Sequence, residues 1–231
     1  MAVRRLQGGG PAMSKQGKAI SEAVVRRLPV YLQVLGELHV RDVQTVSSQE
    51  LGLKLELNPA QIRKDLAYFG EFGRKGVGYD VNYLIEKIRG ILKLDQVMLV
   101  ALVGAGNLGH ALCNYSTYLK DNMKITAVFD ANPAKIGTRI NSLEVQPIDR
   151  LQQAVQEQDI QIGIITVPAA EAQNVADRFI AAGVKGILNF APVVLKAPEK
   201  VRIHYADFTT QLLSLAYYMD KEGTEHEQMV D

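Results

Sequence analysis

The sequence predicts an α/β fold in two parts, a small and mostly helical N-terminal domain followed by a doubly wound parallel-sheet domain. Three observations predict it. Val97 to Val103 is an unbroken apolar run that ends in a glycine-rich turn, and such runs suit strands covered on both faces of a parallel sheet. Strand and helix patterns then alternate to about residue 206, which implies parallel strands joined by helical crossovers. Before residue 80 the apolar spacing is mostly helical, and the balance there is 12 Lys and Arg against 8 Asp and Glu, whereas the rest carries 14 against 17. A basic front and a slightly acidic back direct any polyanionic partner to the front.

Composition sets the outer bounds. A chain of 231 residues can bury two cores. No apolar run reaches membrane-spanning length. Residues 1–18 are basic but lack the apolar centre of a secretory signal, so they read as a disordered tail. The single cysteine, Cys113, leaves no internal disulfide and fits a reducing, cytoplasmic setting. It reads as a buried, inert thiol on the helix after the glycine turn. His39, His110, His204 and His226 show no ligand spacing, so no metal is expected.

Taken in order, Ala19 to Val40 is helical in pattern, with Ser21 as N-cap and an apolar face at Tyr31, Leu32, Leu35 and Leu38. Pro29 is expected to begin a fresh turn there rather than sit inside one long helix. Ser47-Ser48-Gln49-Glu50 is a capping box opening a short helix through Leu51, Leu53 and Leu55. Asn58-Pro59-Ala60-Gln61 opens a third, with Asn58 as cap, Pro59 at the first position and Gln61 reaching back. Short helices in tight succession make a helix-turn-helix. On the third, Ile62, Leu66 and Phe69 form the core stripe and Gln61, Arg63, Lys64 and Tyr68 lie off it. A first turn with Gln, Arg and Lys is what a recognition helix offers a major groove; a solvated basic face is the plainer reading of that helix alone.

Gly70 to Tyr79 holds four glycines around a basic tip, Arg74-Lys75-Gly76, between short strand-like flanks. That is the outline of a β-hairpin wing, and its cations suit a minor groove or its phosphates. Residues 19–80 are therefore expected to form a winged-helix DNA-binding domain, with Ser47, Gln61, Arg63, Lys64, Tyr68, Arg74, Lys75 and Gly76 as candidate contacts. Tyr83, Leu84, Ile88, Ile91 and Leu92 repeat at helical spacing, giving a linker helix over residues 81–95.

The glycine turn carries the chemistry of residues 96–206. Gly104-Ala105-Gly106-Asn107-Leu108-Gly109 is a GxGxxG between a strand and a helical pattern at Leu108, Leu112, Tyr115 and Leu119, and the next strand delivers Asp130, 26 positions beyond Gly104. Gly104 permits the tight turn, Gly106 lets a pyrophosphate approach the backbone, and Gly109 lets the helix pack on the sheet. The helix N-terminus favours phosphate charge. Asp130 would accept from the adenosine ribose hydroxyls and repel a 2′-phosphate, which favours NAD(H) over NADP(H). Thr166-Val167-Pro168, after a central strand, and Asn189-Phe190 are expected to line the nicotinamide half. The last helix, from Phe208 to Met219, is apolar over a broad surface. Its own domain is the default partner and a second subunit the alternative; residues 221–231 read as a disordered tail.

With both halves in view, the sequence resembles the Rex family of redox-sensing transcriptional repressors over about residues 19 to 220. The most specific stretch is QIRKDLAYFGEFGRKGVGYDV, Gln61 to Val81, and RRLPVY, SSQELG, VGAGNLGHAL, ITVPAAEAQ and GVKGILNFAPV are also similar. The resemblance implies a winged helix on a Rossmann domain, a homodimer, and a palindromic operator. It also implies that residues 207–220 are a domain-swapped helix, and that NAD⁺ permits DNA binding while NADH releases it. By position, Asp207 and Phe208 would sit at an inter-subunit switch with Tyr115, Phe208 reaching the partner's nicotinamide pocket. One departure stands out: some members carry an arginine where Gln33 stands, and an amide brings no charge to the aspartate at the switch.

Two rival functions are weighed against this. An NAD-dependent dehydrogenase would explain the glycine turn and Asp130, but it needs a placed acid/base and leaves the basic winged helix without a purpose. A nucleotide-dependent scaffold without a DNA target is the other.

Overall fold

The computed structural model describes residues 20–68, 73–74, 78–116, 122–206 and 208–227. The chain divides into two compact units after Gln96.

In the first unit, α1 (Glu22–Val40), α2 (Ser48–Leu55), α3 (Pro59–Ala67) and α4 (Val81–Ile91) surround one core, and the strands β1 (Thr45–Val46), β2 (Gly73–Arg74) and β3 (Gly78–Asp80) form a small antiparallel sheet in the order β1-β3-β2. The caps explain where the helices start. Ser47 Oγ accepts from the Glu50 N–H while Glu50 returns the bond to the Ser47 N–H, and Asn58 Oδ1 accepts from the Ala60 N–H ahead of Pro59. The connection between α2 and α3 is tight because Gly52 has no side chain. A Cβ there would lie 2.7 Å from the Leu57 carbonyl oxygen. Gly78 has φ +94°, and a Cβ on it would meet the Val46 carbonyl at 2.7 Å, so the wing lies close over β1.

The second unit is a seven-stranded sheet. Its strands are β4 (Met98–Val103), β5 (Met123–Asp130), β6 (Arg139–Ile140), β7 (Leu143–Pro147), β8 (Ile162–Ile165), β9 (Gly186–Asn189) and β10 (Arg202–Tyr205), in the order β10-β9-β8-β4-β5-β7-β6. All pair in parallel except β6, which forms an antiparallel hairpin with β7. Helices α5 (Asn107–Ser116), α6 (Leu151–Glu157) and α7 (Ala169–Ala182) connect the strands, and α8 (Phe208–Glu227) is the last described element. Apolar clusters lie on both faces of the sheet, as an unbroken apolar β4 requires. Counted without β6, the strand order reverses between β4 and β8, the position where doubly wound sheets bind ligands beyond the strand ends. No described helix is long and apolar enough to cross a membrane.

Several expectations need correction. Pro29 lies inside the continuous α1. It removes the bond to the Val25 carbonyl, but Val25 and Pro29 both face solvent, whereas Leu28, Tyr31, Leu35 and Leu38 hold the helix to the core on either side of the break. Ser21 precedes α1 without a side-chain capping bond. The helix read as a linker belongs to the first core, where Val81, Leu84 and Ile88 are fully buried. On α5 the buried side is Gly109 and Cys113, while Leu108 and Tyr115 are exposed. The β6–β7 hairpin was not foreseen. Finally, α8 continues to Glu227, so the stretch read as a tail from 221 begins as helix; Lys221, Glu222 and Glu225 are good helix formers.

Candidate cofactor and nucleic-acid sites

In the second unit, the end of β4, the glycine turn and the first turns of α5 meet the end of β5. Gly104 has φ +112°, and a Cβ on it would lie 2.6 Å from the Thr166 carbonyl oxygen; one on Gly109 would collide with the Gly104 carbonyl. Those two glycines are therefore required by the protein itself. Gly106 differs: a Cβ there would meet nothing within 4 Å. Its bareness leaves open space rather than relieving a clash, as a turn that takes a pyrophosphate needs. The space is a groove of about 670 Å³ lined by Ala105, Gly106, Asn107, His110, Ala111, Asn114 and Lys135.

Asp130, at the end of β5, ties this corner together. Its Oδ2 accepts from the Ala105 N–H at 2.8 Å and from Lys135 Nζ at 3.1 Å, and its Oδ1 accepts from the Asn132 N–H at 2.8 Å. Burial pushes the carboxyl pKa up, but the bonds from Asn132, Lys135 and Ala105 outweigh it and hold the group below the usual carboxylate range. Asp130 is thus an anion at neutral pH. A carboxylate has about four acceptor sites, so these three donors leave room for a ribose hydroxyl. The residues present fit a dinucleotide: a bare-backed turn, a helix N-terminus and an ionised acid.

The other predicted cofactor residues fall into two groups. Thr166 spends its hydroxyl on the carbonyls of Val103 and Gly104, at 3.1 and 2.9 Å, and so buttresses the turn. Asn189 is buried, donates to the Ala191 and Val193 carbonyls and accepts from the Ala191 N–H, which shapes its own loop. Val167 and Phe190 pack partly into the apolar clusters, and Pro168 precedes α7. Asn107 and Leu108 are exposed at the start of α5, whereas Ala105 is buried. His110, Asn114 and Lys135 line the groove without having been predicted to; the turn of α5 that follows the glycines was the available signal for the first two. Cys113 is buried, and burial raises its thiol pKa to about 11, which keeps it protonated and unreactive.

In the first unit, Arg63 and Lys64 stand exposed on α3, and Arg63 Nη1 donates to Ser48 Oγ at 3.0 Å. Ser47 is half-buried, its hydroxyl committed to capping α2. Tyr68 is half-buried against the core rather than clear of it. Gln61 does not reach back: its Nε2 donates forward to Asp65 Oδ1 at 2.6 Å. Arg74 pairs by its backbone with Gly78 in the wing, while Lys75, Gly76, Phe69, Leu119 and Asp207 lie outside the described residues. Gln33 is exposed on α1.

Asp65 itself was missed. It is 0 % exposed, yet it sits between Ile62 and Leu66 on the core side of α3. Arg27 grips it with Nε at 2.6 Å and Nη2 at 2.8 Å, and the Tyr31 hydroxyl donates to it at 2.7 Å. Burial alone would raise its pKa; the bonds from Arg27, Tyr31 and Gln61 reverse that and hold it below the ordinary value. The signal available in the sequence was a carboxylate inside an apolar stripe, which demands a partner.

Every described side chain of α8 is exposed, including Phe208 at 69 % and Leu212 at 65 %. The default expectation, that this helix packs on its own domain, does not hold.

Comparison with known proteins follows the same division. The model of the CoA binding domain matches residues 95–193, and that of a putative DNA-binding protein N-terminus matches residues 19–67. The redox-sensing transcriptional repressor Rex of Brevibacillus brevis is 58% identical over 207 residues, 90% of this chain and 100% of that one. Its namesake from Carboxydothermus hydrogenoformans is 47% identical over 207 residues, again 90% of this chain and 100% of its own. Among solved structures, RSP in complex with β-NAD⁺ and operator DNA superimposes with TM-score 0.84 at 37% identity, covering 91% of this chain and 97% of that one. The same protein with β-NADH gives 0.81 at 36% identity, covering 91% and 99%.

Proposed function

The chain belongs to the Rex family of redox-sensing transcriptional repressors, and from that premise we propose that it binds a palindromic operator as a homodimer and leaves it when NADH replaces NAD⁺. The observation that carries this reading is the likeness, over 91% of the chain, to one repressor solved both on operator DNA with NAD⁺ and with NADH. The relatives are named as repressors and not as enzymes, and the work proposed here is binding rather than turnover. It places the protein in the cytoplasm, with the DNA and the nicotinamide pool.

In the first unit, residues 19–67 and the wing supply the DNA surface, with α4 completing their core. Arg63 and Lys64 enter the major groove, and Arg74 and Lys75 engage the adjacent minor groove. Two such modules read half-sites about 34 Å apart or a multiple of that. In the second, the bare backbone at Gly106 and the start of α5 take the pyrophosphate, and Asp130 takes the adenosine ribose. The cofactor, when bound, supplies a nicotinamide ring whose charge differs between its two oxidation states. What remains is done by the chain: α8 crosses to the partner, Phe208 covers its nicotinamide pocket, and Asp207 with Tyr115 registers the oxidation state. Gln33 supplies only a hydrogen bond to that switch.

The coupling is linkage. NADH shifts the dimer only by its differential affinity for the released form. A preference of about tenfold at each of two sites gives about a hundredfold, or about 2.7 kcal/mol.

Fluorescence anisotropy on A·T-rich palindromes tests the reading. Operator affinity should fall on adding NADH and hold with NAD⁺. Arg63→Ala and Lys64→Ala should each weaken operator binding by about tenfold, Lys64→Ala lowering the salt slope by about one, without altering NADH affinity. Occupancy indifferent to both oxidation states would overturn it.

A further inference from the structure

The carboxylate of Asp65 does more than hold two helices together. It is wholly buried and receives four hydrogen bonds, from Arg27 Nε and Nη2, from the Tyr31 hydroxyl and from Gln61 Nε2. Three of these tie α3 to α1. The fourth ends on a half-buried side chain in the first turn of α3.

A carboxylate anion only accepts, so the group that Gln61 turns toward Asp65 must be its NH₂. That settles which way the amide faces. One N–H is bound to Asp65 Oδ1 at 2.6 Å, and the second N–H and Oε1 have no partner among the described residues. Side by side, those two atoms are the donor and acceptor that an adenine edge takes in the major groove, N7 accepting and N6 donating. A freely rotating glutamine presents either order and must be ordered on binding; one already fixed loses less.

We propose that Asp65 is a positioning residue for base readout, fixing the amide of Gln61 so that Gln61 selects an A·T pair in each half-site. The proposal rests on the DNA-binding reading above. Arg63 and Lys64 supply most of the attraction to phosphate and to other base edges, while the Gln61–Asp65 pair supplies discrimination at one position.

The test uses the full-length homodimer and a set of operators in which each half-site base pair is replaced in turn, with a scrambled duplex as competitor. Wild type should lose roughly tenfold in affinity when the A·T pair read by Gln61 is replaced. Gln61→Ala should abolish that preference and no other. Asp65→Asn, whose amide lets the glutamine turn over, should abolish the same preference at the same position, while affinity for the scrambled duplex stays within about twofold. Tyr31→Phe removes one bond to Asp65 but none to Gln61; it should lower Tm and leave the preference intact.

A purely structural role for Asp65 predicts the reverse pattern: Asp65→Asn weakens all sequences alike and keeps the preference. That result overturns the proposal. Should Asp65→Asn not fold, the side-chain amide of Gln61 in the wild-type protein decides by ¹⁵N NMR. One amide proton held at a hydrogen-bonded shift in the free protein and unmoved by operator, while the other shifts, supports the proposal; two protons both at the shifts of a free glutamine amide overturn it. A wild-type protein with no preference for any duplex over the scrambled one would instead refute the DNA-binding reading itself.

Discussion

Asp65 and Asp130 are both carboxylates at the edge of an apolar core, held ionised by several donors each, and they illustrate how far a residue's environment decides its role. For Asp65, removing one partner of a buried pair leaves the other uncompensated, so Asp65→Asn should cost about 3–5 kcal/mol and Tyr31→Phe about 1–3 kcal/mol by chemical denaturation at pH 7. The pH dependence has a definite sign. A carboxyl whose pKa is lower folded than unfolded adds stability above the unfolded value, about 3.9, and loses it as pH falls through the folded one. The gap between wild type and Asp65→Asn should therefore be full at pH 7 and shrink below about pH 4; a gap independent of pH would remove the charge from the argument. Asp130→Ala should weaken NADH binding by about tenfold or more, the worth of a hydrogen bond to a charged group. It should also narrow the preference over NADPH, because Lys135 loses its carboxylate partner. Calorimetric titration with both dinucleotides measures each effect. The position of Asp130, at the end of β5 and bonded to the glycine turn, was legible from its spacing to Gly104. Asp65 was not, because the partners Arg27 and Tyr31 lie more than thirty positions away, and no local pattern announces them.

At the scale of elements, the sequence was most readable where start and stop signals agree with apolar period. Helix α7 is such a case: Pro168 precedes it, its buried face includes Ala172, Val175, Ala176 and Phe179, and Gly183 closes it at φ +97°. The capping box of α2 was equally plain. The hairpin of β6 and β7 was not, because its strands are short and only Ile140 and Val145 are buried, which leaves almost no alternation to read. Pro29 misled for a different reason. A local rule that forbids proline in a helix was overruled by the core, since α1 buries Val24 and Leu28 before the proline and Tyr31, Val34 and Leu35 after it. Pro29→Ala restores an N–H to the exposed face of α1, and the helix gains about 3 kcal/mol of propensity less what a looser unfolded chain takes back. Stability should rise by about 1–2 kcal/mol in thermal or urea denaturation. A loss of stability would show instead that the proline sets a bend that the core requires.

For the whole molecule, α8 is the element that its own chain leaves unexplained. A helix exposing Phe208, Leu212, Leu213, Leu215 and Met219 carries an apolar surface that soluble monomers rarely leave bare. The apolar surface was legible in the sequence; its destination was not, because a periodic face shows that something is covered without saying by what. In the function proposed above, exchange between two subunits would cover it and, with Phe208 at the partner's pocket, would join the state of one cofactor to the placement of two DNA modules. Deleting residues 208–231 separates these roles from folding, since every described side chain of α8 is exposed. The shortened protein should be monomeric by light scattering and should keep its parallel sheet by circular dichroism. It should bind operator at least tenfold more weakly, because two half-sites are no longer engaged as one. Whatever affinity remains should be the same with NADH as with NAD⁺. A shortened protein that still dimerises and still releases DNA on NADH would place the coupling elsewhere, in a contact between the sheet domains of two subunits.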